Sequence, residues 1–270
     1  MDGTGDLLSA STFNNDGGTL TLASQCGVGC GETLSAGAFN NNGGTVTLDG
    51  SGDTLSASAF SNSGSVVVGS NETLTVQNNY TQSGSHSVLN VDGTLAAATA
   101  TINRGTVSGG GTITANLSNV GGRVTASDPG IPEILTIIGN YTQGSGGTLE
   151  AFLGGAAAGT GYSQLVVDGT ATLDGKLDVG LVSGFDPTLD ENFFLLTSTG
   201  TSLVSGNFSN LELPSGDAWL VSYNNACPTG TTGCVDLTYE GGVKAPEPST
   251  FLLLAMVMAV MTIFLKYRIP

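Results

Sequence analysis

The sequence predicts an all-β chain, a right-handed parallel β-helix (β-solenoid), followed by a single C-terminal transmembrane helix. Three observations predict it: a repeat close to 20 residues long, short runs of alternating apolar residues divided by Gly and Asn, and one charge-free apolar stretch at the end of the chain. With 39% hydrophobic residues in 270, there is enough apolar material for a core, which excludes wholesale disorder. The 42 Gly follow no three-residue period, which excludes collagen. A net charge of −16, with Arg104, Arg123, Lys176 and Lys244 scattered ahead of the final segment, leaves no phosphate-neutralising stripe and argues against nucleic acid. His86 is the only histidine, so chemistry that needs several imidazoles is poorly served.

The repeat sets the first element. Gly5-Asp6-Leu7-Leu8-Ser9-Ala10 leads to Phe13 and then Asn15-Asp16-Gly17-Gly18-Thr19-Leu20-Thr21-Leu22. Gly31-Glu32-Thr33-Leu34-Ser35-Ala36 leads to Phe39 and then Asn41-Asn42-Gly43-Gly44-Thr45-Val46-Thr47-Leu48, and Gly52-Asp53-Thr54-Leu55-Ser56-Ala57 leads to Phe60. A weaker copy runs from Asn71 to Val88 through Tyr80. The aromatic positions recur 26, 21 and 20 residues apart, the longest interval carrying an insert around Cys26 to Cys30. Alternating side chains fill an interior, and stacking at about 4.8 Å per repeat makes that interior continuous. Phe13, Phe39, Phe60 and Tyr80 are then expected to form an aromatic ladder that is core packing and not a sugar-binding track. Asn and Gly are expected at corners, in left-handed conformations. A β-propeller is the alternative, but its blades need about 40 residues.

The same Thr- and Gly-rich chemistry continues to Ser127, and Asp128-Pro129-Gly130-Ile131-Pro132 is the preferred boundary. The expected division is residues 1–130 for the repeats, 131–240 for a region of different character, 241–249 for a linker, and 250–270 for the transmembrane helix and basic tail. Met1-Asp2-Gly3-Thr4 lacks the cationic and apolar regions of a secretory signal, and the repeat begins at Gly5, so the chain is expected to start partway through an array.

The C-terminal stretch runs from Phe251, Leu252, Leu253 and Leu254 to Ile263, Phe264 and Leu265, with only Thr262 polar. Fifteen residues span roughly 23 Å at about 1.5 Å each; Lys266 and Arg268 snorkelling beyond them bring the helix close to a full crossing. Those two cations place the tail in the cytoplasm and the rest of the chain outside. Pro246, Glu247 and Pro248 precede the helix and hold the chain extended. The ordered set of Pro-Glu-Pro, apolar helix and basic tail, over about residues 245–270, resembles the PEP-CTERM sorting signal of Gram-negative bacteria. The resemblance implies an exported cell-envelope protein that is a substrate of exosortase, a membrane-embedded transpeptidase-like enzyme, and that is associated with exopolysaccharide or biofilm. A GPI signal is the rival, although basic residues after its apolar tail would be unusual.

Residues 131–240 carry a second resemblance. Ile137-Ile138-Gly139-Asn140-Tyr141-Thr142-Gln143, Leu165-Val166-Val167-Asp168-Gly169, Gly184-Phe185-Asp186-Pro187, Gly206-Asn207-Phe208 and Trp219-Leu220-Val221-Ser222-Tyr223 follow one another as in the C-terminal part of autotransporter passenger β-helices. In that family the region closes the solenoid. A true autotransporter ends in an outer-membrane β-barrel, whereas this sequence ends in one apolar stretch, so barrel-mediated secretion is not expected.

Candidate sites compete with structural readings. Asp168, Asp174 and Asp178 suggest paired carboxylates for glycoside hydrolysis, but the first two are Asp-Gly turns, and Arg104, Arg123 and Lys176 fall in dissimilar contexts. Asp186, Asp190 and Glu191 form a loop cluster for which solvation outweighs weak divalent-ion binding. No catalytic residue, metal site or cofactor is therefore expected. Four cysteines allow three pairings; Cys26–Cys30 with Cys227–Cys234 is preferred and fits an oxidising exterior. The five Asn-x-Ser/Thr triplets, at Asn71, Asn79, Asn116, Asn140 and Asn207, are attributed to chance. The function expected is that of an exported matrix-associated structural protein. An adhesin is the alternative, and a polysaccharide lyase or glycosidase is the third choice.

Overall fold

Thr-Leu-Ser-Ala and Thr-Val-Thr-Leu each put every second side chain on one side, and this alternation dictates the fold. The computed structural model describes residues 7–23, 31–50, 52–128, 130–182 and 184–242. Within them the chain is all-β. Cys26 and Cys30, the Pro246-Glu247-Pro248 triplet, the apolar stretch 251–265 and the basic tail of Lys266 and Arg268 lie outside the described residues.

Long and short strands alternate: β1 (Leu7–Asp16), β2 (Thr19–Leu22), β3 (Thr33–Asn42), β4 (Thr45–Leu48), β5 (Thr54–Asn62), β6 (Ser65–Val68), β7 (Thr73–Gln82), β8 (Val88–Val91), β9 (Thr94–Ile102), β10 (Thr106–Ser108), β11 (Thr112–Asn119) and β12 (Arg123–Thr125). The odd-numbered strands pair in parallel in one sheet and the even-numbered in another, so each long–short pair is one rung stacked on the last. Leu34 pairs with Leu8 and Leu55, and Val46 with Leu20 and Val66, which keeps each inward residue over its equivalent. The long strands bend where the register slips, between Ala57 and Phe60 and between Val76 and Asn79. A Cβ on Gly64 would collide with the Gly44 carbonyl of the rung below, so the following corner admits no side chain there.

The interior holds two parallel ladders. Phe13, Phe39, Phe60 and Tyr80 stack with ring centroids 4.9, 4.6 and 5.5 Å apart, and Phe39, Phe60 and Tyr80 are buried, so the aromatic ladder is core as expected. Beside it runs a ladder of buried amides: Asn15, Asn41, Asn62 and Gln82. Asn41 Nδ2 donates to Asn62 Oδ1 (2.9 Å), to the Gly44 carbonyl (2.9 Å) and to the Ser65 carbonyl (3.0 Å). Asn15 and Asn62 repeat the pattern one rung to either side. This corrects the corner reading of the asparagines. Asn15, Asn41 and Asn62 lie in strands and point inward, and the left-handed positions at these corners belong to Gly17 and Gly43. Asn71 and Asn224 do adopt positive φ.

The expected boundary at residues 128–132 is a short antiparallel arm, β13 (Ser127–Asp128) against β14 (Ile131–Pro132). Both sheets continue across it through β15 (Ile134–Ile138), β16 (Tyr141–Gln143), β17 (Thr148–Leu153), β18 (Gln164–Asp168), β19 (Ala171–Leu173) and β20 (Lys176–Leu181). Here the long strand is broken in two, β15 and β16 both continuing the pairing of β11. The parallel order ends at β21 (Asn192–Ser198), followed by β22 (Ser205–Gly206), β23 (Asn210–Glu212), β24 (Asp217–Tyr223) and β25 (Gly233–Gly242). β25 pairs antiparallel with both β21 and β24, which closes the first sheet. Cys227 and Cys234 form a disulfide there, with Cα atoms 5.6 Å apart.

Candidate functional site

The outward-facing residues of the second sheet form columns, because the register that stacks the core also stacks the surface. One column runs Val88, Thr106, Arg123, Thr148, Lys176 and Asn210; the next includes Glu150, Asp178 and Glu212. Five charges therefore meet on four successive strands of this sheet, β12, β17, β20 and β23. The Arg123 guanidinium is paired with the Glu150 carboxylate and lies 4.0 Å from that of Asp178. Lys176 Nζ bridges Asp178 (2.8 Å) and Glu212 (2.6 Å). Burial pushes the Glu150 carboxyl up, and Asp178 adds to the rise while Arg123 and Lys176 oppose it. The hydrogen bonds from Lys176 to Asp178 and Glu212 hold its ammonium above the ordinary range. Each carboxylate is committed to a cation, so none is poised as an unpaired acid or base.

A groove of about 440 Å³ opens beside this network, where the β13–β14 arm stands against the outer face of the sheet. Val88 and Phe152 give it apolar surface, and Thr106, Ser108, Thr125 and Ser127 give it hydroxyls. Thr125 Oγ1 and Ser127 Oγ are 2.8 Å apart and both residues are buried. Arg123 and Glu150 complete the lining with a donor fork and an acceptor pair.

A second concentration of acid is internal. Glu32, Asp53 and Glu72 occupy equivalent places on successive rungs, 0%, 2% and 1% exposed. Each reaches back to the amides of the rung before: the Glu32 amide donates to Asp53 Oδ1 (2.8 Å) and the Gly52 amide to Glu72 Oε1 (3.2 Å). The second oxygens, Glu32 Oε1 and Glu72 Oε2, are buried and have no hydrogen-bond partner among the described residues. Among the described residues, no three His, Cys, Asp or Glu side chains converge on a position that would hold a metal ion.

The other candidates resolve individually. Asp174 accepts the Gly175 amide (2.7 Å) at a left-handed glycine, a turn as expected. Asp168 accepts the Thr199 hydroxyl (2.7 Å). In the Asp186–Glu191 loop, Glu191 Oε2 accepts both the amide and the hydroxyl of Thr188, which commits it to the turn. The expectation that Arg123 and Lys176 fall in dissimilar contexts is corrected: two rungs apart, they share one column and one network. The signal was present in Thr148-Leu149-Glu150, Lys176-Leu177-Asp178 and Asn210-Leu211-Glu212, whose common spelling aligns the three acids. No protein-family model matches the chain, and no curated protein is significantly similar to it in sequence.

Proposed function

We propose that the chain is an exported cell-surface protein in which a right-handed parallel β-helix is carried outside the membrane of a Gram-negative bacterium. In this reading it is held by the C-terminal transmembrane helix at residues 251–265, with Lys266 and Arg268 cytoplasmic. The Pro246-Glu247-Pro248 triplet presents it to an exosortase, and its role is structural, in association with exopolysaccharide. The observation that supports the reading best is the Cys227–Cys234 disulfide, because such a bond persists in an oxidising exterior and not in a reducing cytosol. The rungs fit a structural role. Their interior is continuous, and much of their outward surface is Thr, Ser and Asn.

An adhesin-type binding module is the second reading, favoured by the groove beside Arg123 and Glu150. A glycosidase is disfavoured by the pairing of Glu150 and Asp178 with cations, since hydrolysis needs one carboxyl free to donate a proton and its partner free to attack or to activate water. The test expresses the protein in an exosortase-bearing host and follows it by fractionation and thiol labelling. The intact protein is expected in the envelope with Cys227 and Cys234 unreactive, and replacing Pro246, Glu247 and Pro248 by Ala is expected to block processing. Recovery from cytosol with reduced thiols would overturn the proposal.

A further inference from the structure

The groove beneath the β13–β14 arm has a chemistry specific enough to name its ligand class. We infer that it is a glycan-binding site that takes uncharged hexose units, an inference that rests on the matrix reading only for the polymer that supplies them. Its volume of about 440 Å³ lies within the range of pockets that hold small ligands. Four rungs border it, from Val88 on β8 to Phe152 on β17, so an occupant lies along the stacking axis over about 14 Å, three steps of about 4.8 Å.

The polar inventory selects the class. The part-exposed hydroxyls of Thr106 and Ser108 each donate and accept, which suits a ligand that presents several hydroxyls of its own, while the buried hydroxyls of Thr125 and Ser127 are bonded to each other and form the floor. The Arg123 fork supplies donors and Glu150 supplies acceptors, side by side, as vicinal sugar hydroxyls require. Because these two charges are paired, the wall offers hydrogen bonds with little net field. An anionic polymer would meet Glu150, Asp178 and Glu212 against only Arg123 and Lys176. A cationic ligand would meet the 40% exposed Arg123 side chain at the groove itself. Apolar contact comes from Phe152, whose half-buried ring rests over Gly180 of the next rung. A Cβ on Gly180 would come within 3.3 Å of that ring, so the glycine leaves Phe152 flat on the surface, where a sugar C–H face can lie against it.

The test titrates the full chain calorimetrically with cellohexaose, maltohexaose and mannohexaose as neutral probes and with trigalacturonate as the anionic one. At least one neutral probe is expected to bind with a dissociation constant of about 0.1–1 mM, and trigalacturonate more weakly. Phe152→Ala is expected to weaken that binding at least about tenfold. Ser108→Phe fills the groove from a half-exposed, outward-facing position that does not load the core, and is expected to abolish it. Thr142→Ala, on the other sheet, is expected to leave binding unchanged, and circular dichroism checks that each variant folds. The inference is overturned if no neutral probe binds at about 10 mM, if trigalacturonate binds best, or if a folded Ser108→Phe protein still binds. Export is read separately by fractionation, so an envelope-located chain that fails these titrations removes the glycan site and leaves the surface reading standing.

Discussion

The rungs from β1 to β12 and the closing strands β21, β24 and β25 bury aromatic residues by opposite means. In the rungs, Phe13, Phe39, Phe60 and Tyr80 lie in register and stack face to face. In the closing region, Phe193 meets Tyr162 and Phe185 edge-on at 5.5 and 6.1 Å and Trp219 at a tilt, while Trp219 packs on Tyr239 at 5.0 Å. Repetition makes the first arrangement: each rung meets a copy of itself, so one good contact is made several times. The second is made once, between unlike elements, and must end a parallel sheet with antiparallel strands. The rungs draw their stability from nearest neighbours, whereas the closing strands depend on one set of contacts that nothing else in the chain duplicates.

The largest expected effect tests the repeating side. Phe39 lies between Phe13 and Phe60 with no exposed surface, so Phe39→Ala removes two stacking contacts and opens a cavity. The expected loss is about 3–5 kcal/mol in urea unfolding. Nearest-neighbour coupling predicts that hydrogen exchange accelerates in β1, β3 and β5 while β21 and β25 keep their protection. Equal acceleration at both ends would show a single cooperative unit and break the contrast.

A smaller effect is expected at the other end. The Cys227–Cys234 bond closes a loop of only seven residues' separation between β24 and β25. Replacing both cysteines by Ser is expected to cost about 2 kcal/mol. The loss should be concentrated in β24, whose pairing partner in the sheet is β25, with slow exchange retained in β3 to β7. If the rungs loosen as much as the closing strands, the disulfide acts on the whole chain and the two regions are not separable.

Repetition also decided what the sequence disclosed. Phe13, Phe39, Phe60 and Tyr80 were legible because similar residues recur at matching places, and the structure puts each against the next. Asn41 was misread because an amide beside Gly43 and Gly44 looks like a turn. Its partners are a carbonyl of its own rung and groups of the next, and the local sequence does not reveal them. Counting two residues on from buried Phe39 would have turned it inward. The same blindness hid the Arg123 network: its members are distant in sequence, and only the register joins Glu150 to Asp178 and Glu212. The closing strands gave no periodic signal, and a closure near residues 219–223 was expected from the resemblance alone. Trp219 and Tyr239 belong to no repeat, and antiparallel pairing at the end of a parallel sheet leaves no periodic trace.

The smallest expected effect concerns the buried acids, which sharpen the comparison because they belong to the rungs alone. Burial raises the Glu72 pKa above its usual 4.5; Asp53 and Asp49 push the same way, and the amides of Gly52 and Asp53 pull against them. A carboxyl with a raised pKa in the folded chain binds its proton more tightly folded than unfolded, so stability falls as pH rises through the folded value. Below the unfolded value both states are protonated and no penalty remains. Glu72→Gln keeps an acceptor for the Gly52 amide and removes the charge, so it should flatten the curve of stability against pH above 4.5. At neutral pH it is expected to stabilise the rungs slightly, by less than either preceding substitution costs, measured by urea unfolding across the pH range. A variant that instead lost stability at neutral pH while matching the parent at acidic pH would mean that the Glu72 carboxylate is held by its amides more strongly than burial disfavours it. The acids on successive rungs would then act as charged caps on the preceding turns.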